Sequence, residues 1–126
     1  MKKCILIVDD DPTSLRTVDG MLTAAGYDVR TSTHADNIEQ KVREVNPSLI
    51  VMDLIMPNTD GNQAVKKLKN NPALKGIPVI FLTALKMRDE DRGIDFEVHV
   101  DNVSYRTLTK PVDAKSLTLE IEKLIK

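Results

Sequence analysis

Two short apolar runs in this chain each end in aspartate. Ile5-Leu6-Ile7-Val8 leads into Asp9, Asp10 and Asp11, and Leu49-Ile50-Val51-Met52 leads into Asp53. A run that is apolar at every position reads as a strand covered on both faces, and such strands belong to parallel sheets. In open α/β sheets ligands bind outside the carboxyl ends of the strands. Both runs would therefore deliver carboxylates to one rim. Like charges gathered there repel one another, and a hard cation held by oxygen, of which Mg²⁺ is the natural choice, relieves the repulsion. The two runs predict a metal-dependent acidic pocket in a small α/β domain.

The spacing of apolar residues elsewhere fits that expectation. Asp11-Pro12 reads as a helix start, because aspartate caps and proline suits the first helical position. Leu15, Val18, Met21, Leu22 and Ala25 then recur at helical spacing, and Gly26 is a fitting stop. Tyr27 to Ser32 alternates as an edge-like strand. His34 to Asn46 returns to helical spacing through Ile38, Val42 and Val45, and Pro47 closes it. Ser48 to Met52 is the third strand. Pro57 and Asp60-Gly61 mark a turn, Asn62 to Asn70 a third helix with Ala64, Val65 and Leu68, and Val79 to Leu82 a fourth buried strand ending at Thr83. Strands alternating with helices in this way predict a parallel sheet with right-handed crossovers.

Beyond Thr83 the pattern changes. Lys86 to Asp95 is heavily charged and offers a helix little to bury. Val98, Val100, Val103, Tyr105 and Thr107 alternate around Asp101-Asn102, which suggests a hairpin or an extended fifth strand. Asp113 to Lys126 closes the chain as a helix with Leu117, Leu119, Ile121, Leu124 and Ile125 as its apolar positions.

At 126 residues the chain is expected to form one domain, residues 1–126. Its 18 basic and 19 acidic residues leave no strongly basic surface for nucleic acid. With two Phe, two Tyr and no Trp, the core must be aliphatic. Cys4, the single cysteine, excludes an internal disulfide and reads as a small packing residue of the first strand. Cys4 to Val8 is too short for a signal-peptide core, and no apolar run reaches membrane-spanning length, so a cytoplasmic location is expected. His34 and His99 stand far apart without ligand partners at useful spacing, and Met52 and Met56 read as gap-filling packing.

Four fragments in this order resemble the receiver domain of two-component response regulators, over nearly the whole chain. They are Ile5-Leu6-Ile7-Val8-Asp9-Asp10; Met52-Asp53 followed by Met56-Pro57 and Asp60-Gly61; Phe81-Leu82-Thr83-Ala84; and Thr109-Lys110-Pro111. The resemblance implies a flavodoxin-like, doubly wound, five-stranded parallel sheet with helices on both faces. It implies Asp53 as phosphoacceptor, with Asp10 binding Mg²⁺ directly and Asp9 helping to hold it. By the same resemblance, Asp53 itself and the backbone carbonyl of Ile55 would complete the protein ligands. Lys110 would pair with Asp53 or the incoming phosphoryl group, Thr83 would donate its hydroxyl to a phosphoryl oxygen, and Ala84 would leave room above it. Asp11 reads as the cap of the first helix rather than a ligand. The implied chain is no enzyme beyond Mg²⁺-dependent self-phosphorylation and slow self-dephosphorylation. Its implied partners are a sensor histidine kinase or phosphotransfer protein upstream and another protein downstream, with no direct contact to nucleic acid and no membrane insertion. Because Ile125 and Lys126 end the chain directly after the last helix, a stand-alone, chemotaxis-regulator-like receiver is expected.

Three departures from the family's pattern matter. Many receivers carry an aromatic residue three positions before the lysine, which swings inward as the threonine moves. Here Thr107 stands there, with Tyr105 two residues earlier, so Thr83, Tyr105 and Thr107 are the switch candidates. The stretch from Thr83 to Lys110 is longer than usual, and its fourth helix is expected to be short, frayed or absent, giving a remodelled signalling surface. Finally, Ile55 and Leu85 are aliphatic where polar side chains can orient an attacking water, which favours a long-lived phosphorylated state. Two rival readings stand beside this one. A pseudo-receiver acting as a constitutive protein-interaction module is favoured by the altered segment and disfavoured by the intact Asp9, Asp10, Asp53, Thr83 and Lys110. A metal-dependent phosphatase of similar fold would need a second acid at the position of Ile55, and an aliphatic side chain cannot act as general acid–base.

Overall fold

The computed structural model describes residues 3–34, 36–53, 61–83, 96–100, 103–109 and 112–125. Its elements run β1 (Cys4–Val8), α1 (Pro12–Ala24), β2 (Asp28–Ser32), α2 (Ile38–Val45), β3 (Leu49–Asp53), α3 (Gly61–Lys69), β4 (Val79–Thr83), β5 (Phe96–Val100), β6 (Val103–Thr109) and α4 (Ala114–Leu124). Among the described residues five strands lie parallel in the order β2-β1-β3-β4-β6, and β5 adds an antiparallel strand outside β6.

The apolar runs become the centre of this sheet because they can be covered on both faces. On one face Leu6, Val8, Ile50, Met52, Val79 and Phe81 pack with Ile38 and Val42 of α2 and with Ala64, Val65 and Leu68 of α3. On the other, Ile5, Ile7, Leu49, Val51, Ile80, Leu82 and Leu108 pack with Val18 and Leu22 of α1 and with Leu117 and Ile121 of α4. Each fully buried aliphatic side chain contributes roughly 1.5–3 kcal/mol relative to exposure, so these two layers are the main support of the fold. β2 is the terminal strand on its side, and its polar, mostly exposed residues suit an edge.

Helix α1 begins and ends where local chemistry dictates. The Asp11 side chain accepts a 3.0 Å bond from the Thr13 N–H, and Pro12 has no N–H to leave unpaired in the first turn. At the far end Gly26 takes a φ of 98°, its N–H donates to the Thr23 carbonyl, and the Tyr27 N–H reaches back to the Leu22 carbonyl at 3.0 Å. That pair of bonds is the Schellman arrangement, and it requires the left-handed backbone that glycine adopts without strain.

Helix α2 starts later than its apolar spacing predicts, at Ile38 rather than His34. The Ser32 hydroxyl donates to the His34 carbonyl at 2.8 Å, holding a turn, and Asn37 takes a left-handed φ of 57° that a helix cannot contain. At its end Asn46, also left-handed, and the following Pro47 stop the helix as expected. In α4 the Asp113 side chain caps by accepting from the Ser116 N–H at 2.7 Å. Leu119 and Leu124, read from the sequence as apolar positions of this helix, are 48% and 41% exposed. Leu119 is two residues from both Leu117 and Ile121, which places it on the opposite side of the helix.

The five parallel strands expected are present, and a sixth strand joins them. β5 and β6 are the two strands of the suggested hairpin, antiparallel in a register that sets Glu97 opposite Arg106 and His99 opposite Ser104. Residues 84–95, where a fourth helix of the family's pattern would stand, lie outside the described residues. β5 comes near α3 on one face of the sheet.

Candidate metal and phosphoryl centre

The acids converge because parallel strands in register end together. Val8 of β1 is paired with Met52 of β3, so Asp9 and Asp53 are the next residues along two neighbouring strands. Asp9 is 1% and Asp53 7% exposed, while Asp10 opens toward solvent at the rim. Asp9, Asp10 and Asp53 each place a carboxylate oxygen within 4.8 Å of the others.

The first turn after β1 holds this geometry. The Asp9 N–H donates to the Ser32 carbonyl at 3.0 Å, tying the end of β1 to β2. The Asp9 carboxylate accepts from the Asp11 N–H at 3.0 Å. Asp11 turns its own carboxylate to the start of α1, so the structure agrees with its reading as a cap.

Two hydroxyls lie on strands near this rim. Thr83 ends β4, one residue beyond Leu82, which is the register partner of Asp53, and it is 1% exposed. Thr107 is fully buried in β6 and stands in register with Phe81. Tyr105 is placed in β6 opposite Val98 of β5. Lys110, Ile55, Ala84 and Leu85 lie outside the described residues.

The donor set fits a hard divalent cation. Three carboxylates within reach of one another supply oxygen ligands only, without the thiolate or imidazole that would favour zinc or copper. Asp10 is the member of the group that reaches solvent. Two buried acids side by side concentrate negative charge in a region of low dielectric, and a cation held among them would offset part of it.

Cys4 begins β1, partly buried, and burial, reinforced by the nearby Asp28 carboxylate, pushes its thiol upward. A thiol kept protonated is a poor nucleophile, which agrees with its reading as a packing residue. Glu120 of α4 is a buried acid that the sequence motifs do not single out: it is 5% exposed and lies 3.5 Å from Lys123. Its signal in the sequence is its place between Leu117 and Ile121 on the stripe that packs on the sheet. No described helix is long and apolar enough to cross a membrane.

A family model for the response regulator receiver domain matches residues 5–122. PilH of Pseudomonas aeruginosa is 31% identical over 121 residues, covering 96% of each chain. The DNA-binding dual master transcriptional regulator RpaA of Synechocystis is 32% identical over 123 residues, 97% of this chain and 48% of its own length. PleD of Caulobacter vibrioides is 32% identical over 125 residues, 98% of this chain and 26% of its own. The chain thus spans about half or less of these two longer relatives. Among solved structures, the signal receiver domain of a signal transduction histidine kinase from Syntrophus aciditrophicus superposes with a TM-score of 0.78 at 30% identity, covering 98% of this chain and 89% of that one. Vibrio cholerae CheY4 shares the fold with a TM-score of 0.80 at 22% identity, covering 98% of this chain and 99% of its own. Matched over most of its length, with acids at the strand ends the family's pattern requires, the chain belongs to the response regulator receiver domains of two-component signalling.

Proposed function

We propose that Asp53 accepts a phosphoryl group from a phosphohistidine on a sensor kinase or phosphotransfer protein, and that the change switches a surface read by another protein. The observation that carries this reading is the convergence of Asp9, Asp10 and Asp53 at one rim of the sheet. An Asp53 carboxylate oxygen attacks phosphorus, the phosphorus–nitrogen bond of the donor breaks, and the donor imidazole leaves and takes up a proton. Such a transfer asks for in-line placement and charge neutralisation rather than acid–base machinery.

Mg²⁺, when bound, neutralises the phosphoryl oxygens and the acid cluster. Asp10, Asp9, Asp53 and the carbonyl of Ile55 would hold it. β3 and β4 hold Asp53 and Thr83 on adjacent strands, so the Thr83 hydroxyl is the group to donate to a phosphoryl oxygen, with Lys110 supplying the cation. The added charge then biases Thr83 together with Thr107 and Tyr105 in β6. Reset is by hydrolysis, and aliphatic Ile55 and Leu85 keep it slow, so the chain is a phosphoacceptor switch rather than an enzyme with turnover. A half-life of seconds without a phosphatase would contradict slow reset.

The test is intact mass after incubation with acetyl phosphate and Mg²⁺, beside an Asp53→Asn variant and a chelated sample. A phosphoryl-sized gain that needs both Mg²⁺ and Asp53 is expected. A gain unaffected by Asp53→Asn would move the acceptor elsewhere, and no gain together with no Mg²⁺ binding would remove the reading.

A further inference from the structure

We draw no further inference here: the strongest candidate, the buried side chains of Phe81, Thr83 and Thr107 where β4 pairs with β6, belongs to the phosphoryl site and switch already described.

Discussion

Removing one acid from the rim should make the metal-free protein more stable, which is unusual for a substitution at a functional site. Asp10→Asn is the cleanest perturbation, because Asp10 lies toward solvent and its replacement keeps size and oxygen. It removes two repulsive pairs, with Asp9 and with Asp53, whose nearest oxygens lie within 4.8 Å. At that distance two unit charges repel by about 0.9 kcal/mol in bulk water and about 3.5 kcal/mol at an effective dielectric of ~20. The solvent-facing position of Asp10 places it near the lower figure, so the net gain is about 1–3 kcal/mol. For a domain of this size that raises Tm by roughly 3–10 °C. Thermal unfolding in chelator, at low salt, is the assay, and the gain should shrink as salt is raised. Saturating Mg²⁺ should reverse the order. A cation at about 100 times its Kd stabilises wild type by about 2.7 kcal/mol, and the variant, short of a ligand, by less. An Asp10→Asn variant less stable than wild type in chelator would refute the electrostatic argument. Equal stabilisation of both by Mg²⁺ would refute the assignment of Asp10 as a ligand.

Three further outcomes follow from the packing and the caps. Leu22 is fully buried where α1 meets the sheet, so Leu22→Ala should cost about 2–5 kcal/mol in urea unfolding with little change in slope; a cost under about 1 kcal/mol would show that the site collapses around the smaller side chain. Gly20 lies within α1 with nothing within 4 Å of an added Cβ, so Gly20→Ala should stabilise by about 0.5–1 kcal/mol, and a loss would show an unseen contact there. The Ser116 N–H and hydroxyl, which bond the Asp113 cap, hold its carboxyl below its ordinary value of 3.8. A depressed folded-state value makes the carboxylate's contribution complete above the unfolded value and lost as pH falls through the folded one. Asp113→Ala should therefore be destabilised at neutral pH, with the gap to wild type closing below about pH 4; a gap independent of pH would assign the effect to packing.

Much of this protein is legible in its sequence because the signals are local. Uninterrupted apolar runs of this length fit strands covered on both faces, so β1, β3 and β4 and their carboxyl-end acids can be read directly. Asp11-Pro12 and Gly26 set the limits of α1 through bonds that span a few residues. The alternation around Asp101-Asn102 announces the hairpin for the same reason. The start of α2 is not legible, because helical spacing at Ile38, Val42 and Val45 says nothing about the turn that precedes them.

What tertiary structure alone decided is how closely these residues meet. Nothing in the chain's order shows that Asp9 and Asp53 bring oxygens within 4.8 Å of each other. That follows from the β1–β3 register, which long-range pairing sets. The same holds for burial around a helix: Leu119 is exposed and Glu120 buried because α4 offers the sheet one stripe, defined by Leu117 and Ile121. The hairpin is legible in the sequence, but which of its strands joins the parallel sheet is a tertiary choice: β6 pairs with β4 and leaves β5 outside. Residue pattern determines which elements form and which groups reach their ends; the register between distant strands determines whether those groups form a site.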